Sequence, residues 1–391
     1  MNTIERIEKS FPLLKNDRVR DILFLAGMSL IVFVETMTTT MFEEHLTFYS
    51  YMKVLALVLI VAKLVLFDSW KVRDVVLFGV CGVISLLVRY YSTYNDVIFW
   101  TLLLWGARDI DFRKILKVHG SLVFLIVLAA FVSSFTGRIV NLQYSVDGRV
   151  RNSFGICYPT NFAAYVFFLM ATFFYLVKDR MKWWMYIAGI VVGFVVFKYC
   201  HTRLDSACMV ILSVLYMITA LVDRHLRDRA MWLRLLLCSA VVILFLLCFF
   251  LTYSYDPSVG WMEKLDTLFS TRLALGREAF DRYHVNLFGQ LVPMLGNGGS
   301  LELDGNYFFL DSSYLYILFQ YGIVFTVVVI GTFVLSSFKR KKDLFFLITL
   351  FVIAINATTA HHLTHVQYNP FFMALFASFP PFEEGLQRKQ V

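Results

Sequence analysis

Twelve long apolar stretches, separated by polar connections, are what most limits how this chain can fold. A backbone that enters hydrocarbon has to satisfy its own N–H and C=O groups, and a helix does so within a single segment. The stretches lie near residues 21–42, 50–67, 74–90, 96–107, 118–135, 158–177, 183–198, 206–222, 233–253, 312–337, 344–358 and 369–382. The fourth and the last fall short of the roughly 20 apolar residues that a crossing requires, so re-entrant segments are an alternative there. With 59% hydrophobic and only 16% charged residues, the chain is excluded from the water-soluble globules. The expected fold is all-α, a polytopic integral membrane protein with about 12 transmembrane helices in one domain over 21–391. Residues 252–311, between spans nine and ten, are expected to form a large extracytoplasmic loop.

Orientation follows from the basic residues. If the N-terminus is cytoplasmic, 24 of the 36 Lys and Arg residues lie in inner segments and 10 in outer ones, with Lys53 and Lys63 inside a span. The positive-inside bias then places both termini in the cytoplasm of a multi-pass plasma or inner-membrane protein. The net charge of +8 comes mostly from these inner clusters, which suit anionic lipid headgroups, so no nucleic-acid partner is expected. Residues 1–20 intersperse Ile4, Ile7, Phe11 and Leu14 with charges. This pattern reads as an amphipathic lead-in on the inner leaflet, not a cleavable signal peptide.

The outer basic residues are unusual in kind, because eight of the ten are arginines, whose flat fork of donors matches phosphate oxygens. Arg151, Arg203 and Arg272 sit where the charge bias disfavours them, which points to an anionic ligand. Within the long loop, Ser270 is expected to cap a helix from Thr271 to about Phe288, with Leu273, Phe280, Tyr283, His284 and Leu287 as its apolar stripe. Arg277 has Asp281 four residues ahead, and Arg282 has Glu278 four residues behind. No acid flanks Arg272, which makes it the ligand-binding candidate of the three.

Other residues that draw notice have ordinary readings beside the functional ones. The six cysteines lack any CxxC pairing and read as small hydrophobes, although Cys157 and Cys200 would both lie at the outer face. His361, His362 and His365 contain an i, i+4 pair but no neighbouring acid, so acceptor contact or interfacial anchoring is expected before metal binding. Glu43, Glu44 and His45 read as a solvated loop, with an acidic catalytic site as the alternative. Asp109 and Asp111 balance the basic residues around them. Glu35 and Lys63, both within spans, are expected to pair. Trp261, Tyr307 and Phe308 suit stacking on sugar faces or an interfacial aromatic belt.

Taken in order, the run Arg151-Asn-Ser-Phe-Gly-Ile-Cys-Tyr-Pro-Thr-Asn161, then Thr202-Arg203, then Arg272-Leu-Ala-Leu-Gly-Arg-Glu-Ala-Phe280 with Leu287-Phe-Gly289, and then Asp311-Ser-Ser-Tyr-Leu315 with Gln320-Tyr-Gly-Ile323, resembles the O-antigen polymerase and ligase superfamily. It is most similar to Wzy-type polymerases of capsule and exopolysaccharide clusters, over residues 150–325. The resemblance implies a glycosyltransferase of the outer leaflet. Such an enzyme moves a glycan from an undecaprenyl pyrophosphate carrier onto the terminal sugar of another lipid-linked unit, without metal, cofactor or nucleotide sugar. It implies that Arg203 and Arg272, and with them Arg151, hold the pyrophosphate, that Arg277, Asn161, Trp261, His361 and His362 contact substrate, and that a flippase and a chain-length regulator are partners.

The chain departs from the lipid A core ligases, which carry a histidine where Asp311 stands. Asp311 reads equally as a general base and as the N-cap of the tenth span. An arginine followed after ten residues by glycine, described for some polymerases, is absent from Arg138, Arg272 and Arg277. Three alternatives stay open. A lipid-linked oligosaccharide flippase needs charges along a path through the bilayer. A metal-dependent polyprenyl-phosphate-sugar glycosyltransferase would place Glu43 or Glu44 on an ion, and a ligase would differ only in its acceptor.

Overall fold

A computed structural model describes residues 16–43, 46–146, 148–226, 231–296, 298–299 and 307–379. Most of the amphipathic lead-in, together with Glu44 and His45, lies outside them. The first five helices are α1 (Asp17–Met37), α2 (Leu46–Leu66), α3 (Val72–Ser92), α4 (Asp96–Gly106) and α5 (Phe112–Phe135). A β1–β2 hairpin (Gln143–Val146 and Arg149–Asn152) follows, and then α6 (Pro159–Val177), α7 (Trp183–Cys200), α8 (Arg203–Leu226) and α9 (Met231–Tyr253). Two short helices, α10 (Gly260–Leu268) and α11 (Arg272–Arg282), lead into α12 (Ser313–Gln320), α13 (Gly322–Lys339) and α14 (Leu344–Asn356). Among the described residues, eight helices are long and apolar enough to cross a membrane, with α12 and α13 forming one of them. This is an all-helical membrane protein apart from the hairpin, which joins α5 to α6.

The two ends of the bundle differ in chemistry. Asp21 pairs with Lys114 at 2.6 Å, Arg113 with Asp179 at 3.2 Å, and Lys178 with Asp343, so the starts of α1, α5 and α14 meet the end of α6 at one basic end. The hairpin and the long connection between α9 and α12 sit at the other end. Each end gathers its own charges, as expected when the middle of the bundle has no water to solvate them.

Of the last expected span, 369–382, the described residues 369–379 form no α-helix. After α14 the chain runs from Ala357 to Phe379 with only short 3₁₀ turns at His361–Leu363 and Phe371–Leu375, and nearly every residue is buried. Near its beginning Leu363 N–H donates to Ser313 Oγ at 3.1 Å, at the hairpin end. Further on, Ser378 N–H donates to Ile110 O at 2.8 Å and Ser378 O accepts from Phe112 N–H at 2.9 Å, at the basic end. The segment thus passes through the bundle without a helix. That is tolerated only where the freed backbone groups find partners in surrounding protein. His119 Nε2 meets Val366 O at 2.9 Å, Asn369 Nδ2 donates to Leu363 O at 2.8 Å, and Lys339 Nζ donates to Leu375 O at 2.9 Å.

The expected pairing of Glu35 with Lys63 is corrected. Glu35 pairs with Lys53 at 2.6 Å, and Lys63, fully buried, pairs with Asp68 at 2.6 Å and donates to Arg108 O at 2.7 Å. Lys63 lies three turns nearer the basic end than Lys53, beyond the reach of Glu35. The tenth span breaks between α12 and α13, where Gly322 has φ 84° and lies against Gly289, itself at φ 78°. A Cβ on Gly289 would come within 2.1 Å of Gln320 O, and one on Gly322 within 2.3 Å of Gly289 N. Ile323 and Val324 N–H donate to Asn286 and Leu287 O, both at 3.0 Å, so the long connection is bonded to the break.

Replacing His119 by Leu removes the partner of a buried carbonyl, and a cost of about 1–3 kcal/mol is expected. The thermal midpoint of the purified protein in detergent should fall, and an unchanged midpoint would show that Val366 O is satisfied another way. Gly289→Ala should lower it further, because the left-handed backbone and the contact with Gln320 O are penalised together.

Candidate active site at the hairpin end

Three arginines from separate parts of the chain are each held by the carbonyls at a helix C-terminus. Arg151, on β2, donates from Nε to Cys200 O at 3.1 Å, at the last residue of α7, and its guanidinium lies 5.5 Å from the Tyr158 ring. Arg203 opens α8 and donates from Nη1 to Thr267 O at 3.3 Å and Leu268 O at 3.4 Å, at the end of α10. Arg272 opens α11 and donates from Nη1 to the next carbonyl, Phe269 O, at 3.1 Å. The negative end of a helix dipole thus orients each fork through one edge. Arg203 and Arg272 share one turn.

That turn is itself built by an unexpected cap. Ser270 and Thr271 both take left-handed backbone, at φ 56° and 64°, and Ser270 does not cap the helix that follows. Asp266, buried on α10, does so instead, with Oδ1 accepting from Leu273 N at 2.8 Å and Ala274 N at 3.2 Å. The helix ends at Arg282, short of the expected Phe288. Gly276 sits where a Cβ would lie 2.5 Å from Thr252 and 2.7 Å from Leu315, so α11 packs closely onto α9 and α12.

Arg272 does have an acid, from beyond the loop: its Nε lies 3.3 Å from Asp311 Oδ2, although the angle makes no hydrogen bond. Asp311 is not the cap of α12, since Ser312 occupies the N-cap position without a side-chain bond. With its side chain 20% exposed, Asp311 loses enough hydration for its carboxyl to rise above the ordinary range, while Arg272 and then Arg151 pull it down. Tyr307 is also near enough to Arg272, Arg151 and Asp311 to feel their charges. Asp205, in the first turn of α8, was not singled out in the sequence. It is buried, accepts from Asn356 Nδ2 at 2.8 Å, and feels the charges of Arg272 and Asp311. An ionisable residue at the mouth of an apolar span was its sequence signal.

The remaining candidates divide. Among the histidines, His361 lies against Phe309 at 5.0 Å between ring centroids and within the field of Arg272. His362 is buried against Tyr368 at 4.1 Å, and His365 Nδ1 meets His361 O at 2.6 Å. The ring nitrogens of these three histidines lie within 4.8 Å of one another, close enough for one ion, but the cationic Arg272 beside them opposes it. Asn161 Nδ2 meets Cys157 Sγ at 3.2 Å below the hairpin, near Tyr158. Arg277 is taken up by Asp281 at 2.8 Å and by Tyr253 O, and Trp261 is exposed on α10, so neither faces Asp311 as described. Cys157 and Cys200 are not bonded to each other, and Glu43 is exposed.

Toward the middle of the bundle a second polar group continues from the first. Glu35 is within the field of Asp96 and His365, and Gln320, fully buried, has no hydrogen-bond partner for either amide atom among the described residues. In the same core Trp100 packs on Phe325 at 5.4 Å and on Phe372 at 5.1 Å between ring centroids. Searches of protein-family models, curated proteins and solved structures give no match to this chain.

Asp266→Ala should free the first turn of α11 at a cost of about 0.5–2 kcal/mol. Proteolysis should then cut between α10 and α11 faster than in the wild type, and an equal rate would show that the turn holds without the cap.

Proposed function

We propose that the chain is a metal-independent glycosyltransferase that polymerises glycan units carried on undecaprenyl pyrophosphate at the outer leaflet, in the manner of a Wzy-type capsule or exopolysaccharide polymerase. The observation that carries this reading is the contact of Arg272 with Asp311 at the end of the bundle opposite the basic clusters, with Arg151 within electrostatic reach of the same carboxylate and Arg203 on the turn that holds Arg272. Guanidiniums already oriented by carbonyls suit a diphosphate, and their excess over carboxylates leaves the site cationic. The basic end then faces the cytoplasm by the positive-inside bias.

In this mechanism the arginines bind the diphosphate and stabilise the charge that develops on it as its bond to the anomeric carbon breaks. Fixed donors in a poorly hydrated site act without reorganisation. The acceptor sugar hydroxyl forms the new glycosidic bond, and its proton passes to the Asp311 carboxylate. Bound diphosphate competes for Arg272, loosening a contact that already lacks hydrogen-bond geometry and freeing Asp311 to act as base. His361, His365 and Gln320 line the side from which the acceptor would approach.

A flippase is less well supported. Its substrate would need a polar path, and the intramembrane charges instead close into two separate pairs, Glu35 with Lys53 and Lys63 with Asp68, beside a buried cluster of rings from Trp100, Phe325 and Phe372.

Arg272→Ala and Arg203→Ala are each expected to lower polymer formation by about 10²–10³-fold while the protein accumulates normally in the membrane. Normal polymer from both would reject the reading. Because burial lifts the Asp311 carboxyl and the base must be ionised, activity should rise with pH along an acid limb set above the ordinary 3.8. Residual activity of Asp311→Asn should lack that limb, and an unchanged profile would assign the base elsewhere.

A further inference from the structure

Between α5, α6 and α7 the bundle opens sideways into a groove of about 710 Å³ whose lining is almost wholly apolar. It forms because α7 packs mainly on α8, with Gly189 and Gly193 set against Ser213 and Ser206, and so stands away from α5. Along α5 the lining runs from Leu116 to Phe131, about 22 Å at 1.5 Å per residue. That exceeds the about 15 Å available to one leaflet of a 30 Å hydrocarbon core. An acyl chain confined to its own leaflet cannot fill it.

The groove also leads to the site. Phe131 and Phe162 line its outer end and pack at a tilt against Phe154, at 5.4 and 5.0 Å between ring centroids. Phe154 follows Arg151 by three residues, on the hairpin bonded to the end of α7. A second apolar groove, between α8, α9 and α14, is smaller at about 340 Å³ and has no arginine of the site at its mouth.

We infer that the groove between α5 and α7 holds the polyprenyl tail of the diphosphate lipid, threaded from the arginines toward the basic end. This rests on the reading of the site given above. It adds a requirement that the diphosphate alone does not impose: binding should depend on the length of the isoprenoid. Tight binding of a long chain then comes from apolar area buried along the groove, and the arginines fix only where the chain begins. A short isoprenoid would use the headgroup contacts and little else.

The test compares undecaprenyl diphosphate, farnesyl diphosphate and dioleoyl phosphatidylglycerol on the purified full-length protein by native mass spectrometry. Ala188 faces the groove from α7, and Ile187 faces lipid beside it. In Ala188→Trp, undecaprenyl diphosphate should bind about tenfold more weakly, the loss of roughly two buried methylenes, with farnesyl diphosphate changed less than about twofold. Ile187→Trp should alter neither. Equal weakening of both diphosphates, or unchanged undecaprenyl diphosphate in Ala188→Trp, would overturn the groove. So would phosphatidylglycerol displacing undecaprenyl diphosphate at equal concentration. Farnesyl diphosphate binding that survives both Arg272→Ala and Arg151→Ala would overturn the headgroup site instead, whatever the tail does.

Discussion

A peptide group in hydrocarbon has to find its partner inside the protein, and the passage of residues 357–379 through this bundle depends on that rule. Without a helix to pair its own backbone, the segment is supported by side chains from its neighbours: His119 from α5, Ser313 from α12 and Lys339 from α13. Those bonds fix the segment along its length, and with it the position of the three clustered histidines, of which His361 lies within the field of Arg272. They also explain why His119, Ser313 and Asn369 sit deep in an apolar molecule: each serves a stretch of chain that cannot serve itself.

At the hairpin end the same economy of partners applies to charge. Arg151, Arg203 and Arg272 are steadied mainly by backbone carbonyls, which orient a guanidinium without cancelling it. A carboxylate beside each one would have made three neutral pairs. Only Arg272 has such a neighbour, and there the contact with Asp311 lacks hydrogen-bond geometry. The result is a cluster held in place yet still able to take an anion, which is a demand that structural salt bridges at the basic end do not meet.

Much of this was legible in the apolar pattern, and the failures have specific causes. Hydropathy located the long apolar helices, because each turns a continuous apolar run toward protein or lipid, but not the short α10; the run from 369 to 379 is apolar too and forms no α-helix, and the polar Gln367 and Asn369, both buried, were the warning. Pairing Glu35 with Lys63 failed because sequence gives no depth along two antiparallel helices. Asp311 was missed as the partner of Arg272 because the search for an acid was local, while the partner arrives from across the loop. The Ser270 cap failed to a better competitor, Asp266, whose carboxylate accepts two N–H groups where a serine accepts one. The hairpin, unforeseen, had its sign in Asp147-Gly148 between alternating residues.

The mutual contact of Gly289 and Gly322 has a bearing on how such a molecule diversifies. Because the connection from α9 is fastened there, backbone to backbone, the stretch between Tyr253 and Asn286 hangs from two fixed anchor points. Its exposed positions, such as Trp261, can vary without disturbing the transmembrane frame, whereas Asp266, Arg272 and Gly276 within it are tied to the reaction centre and to the helices beneath. Variation is therefore channelled to the outward side of the stretch.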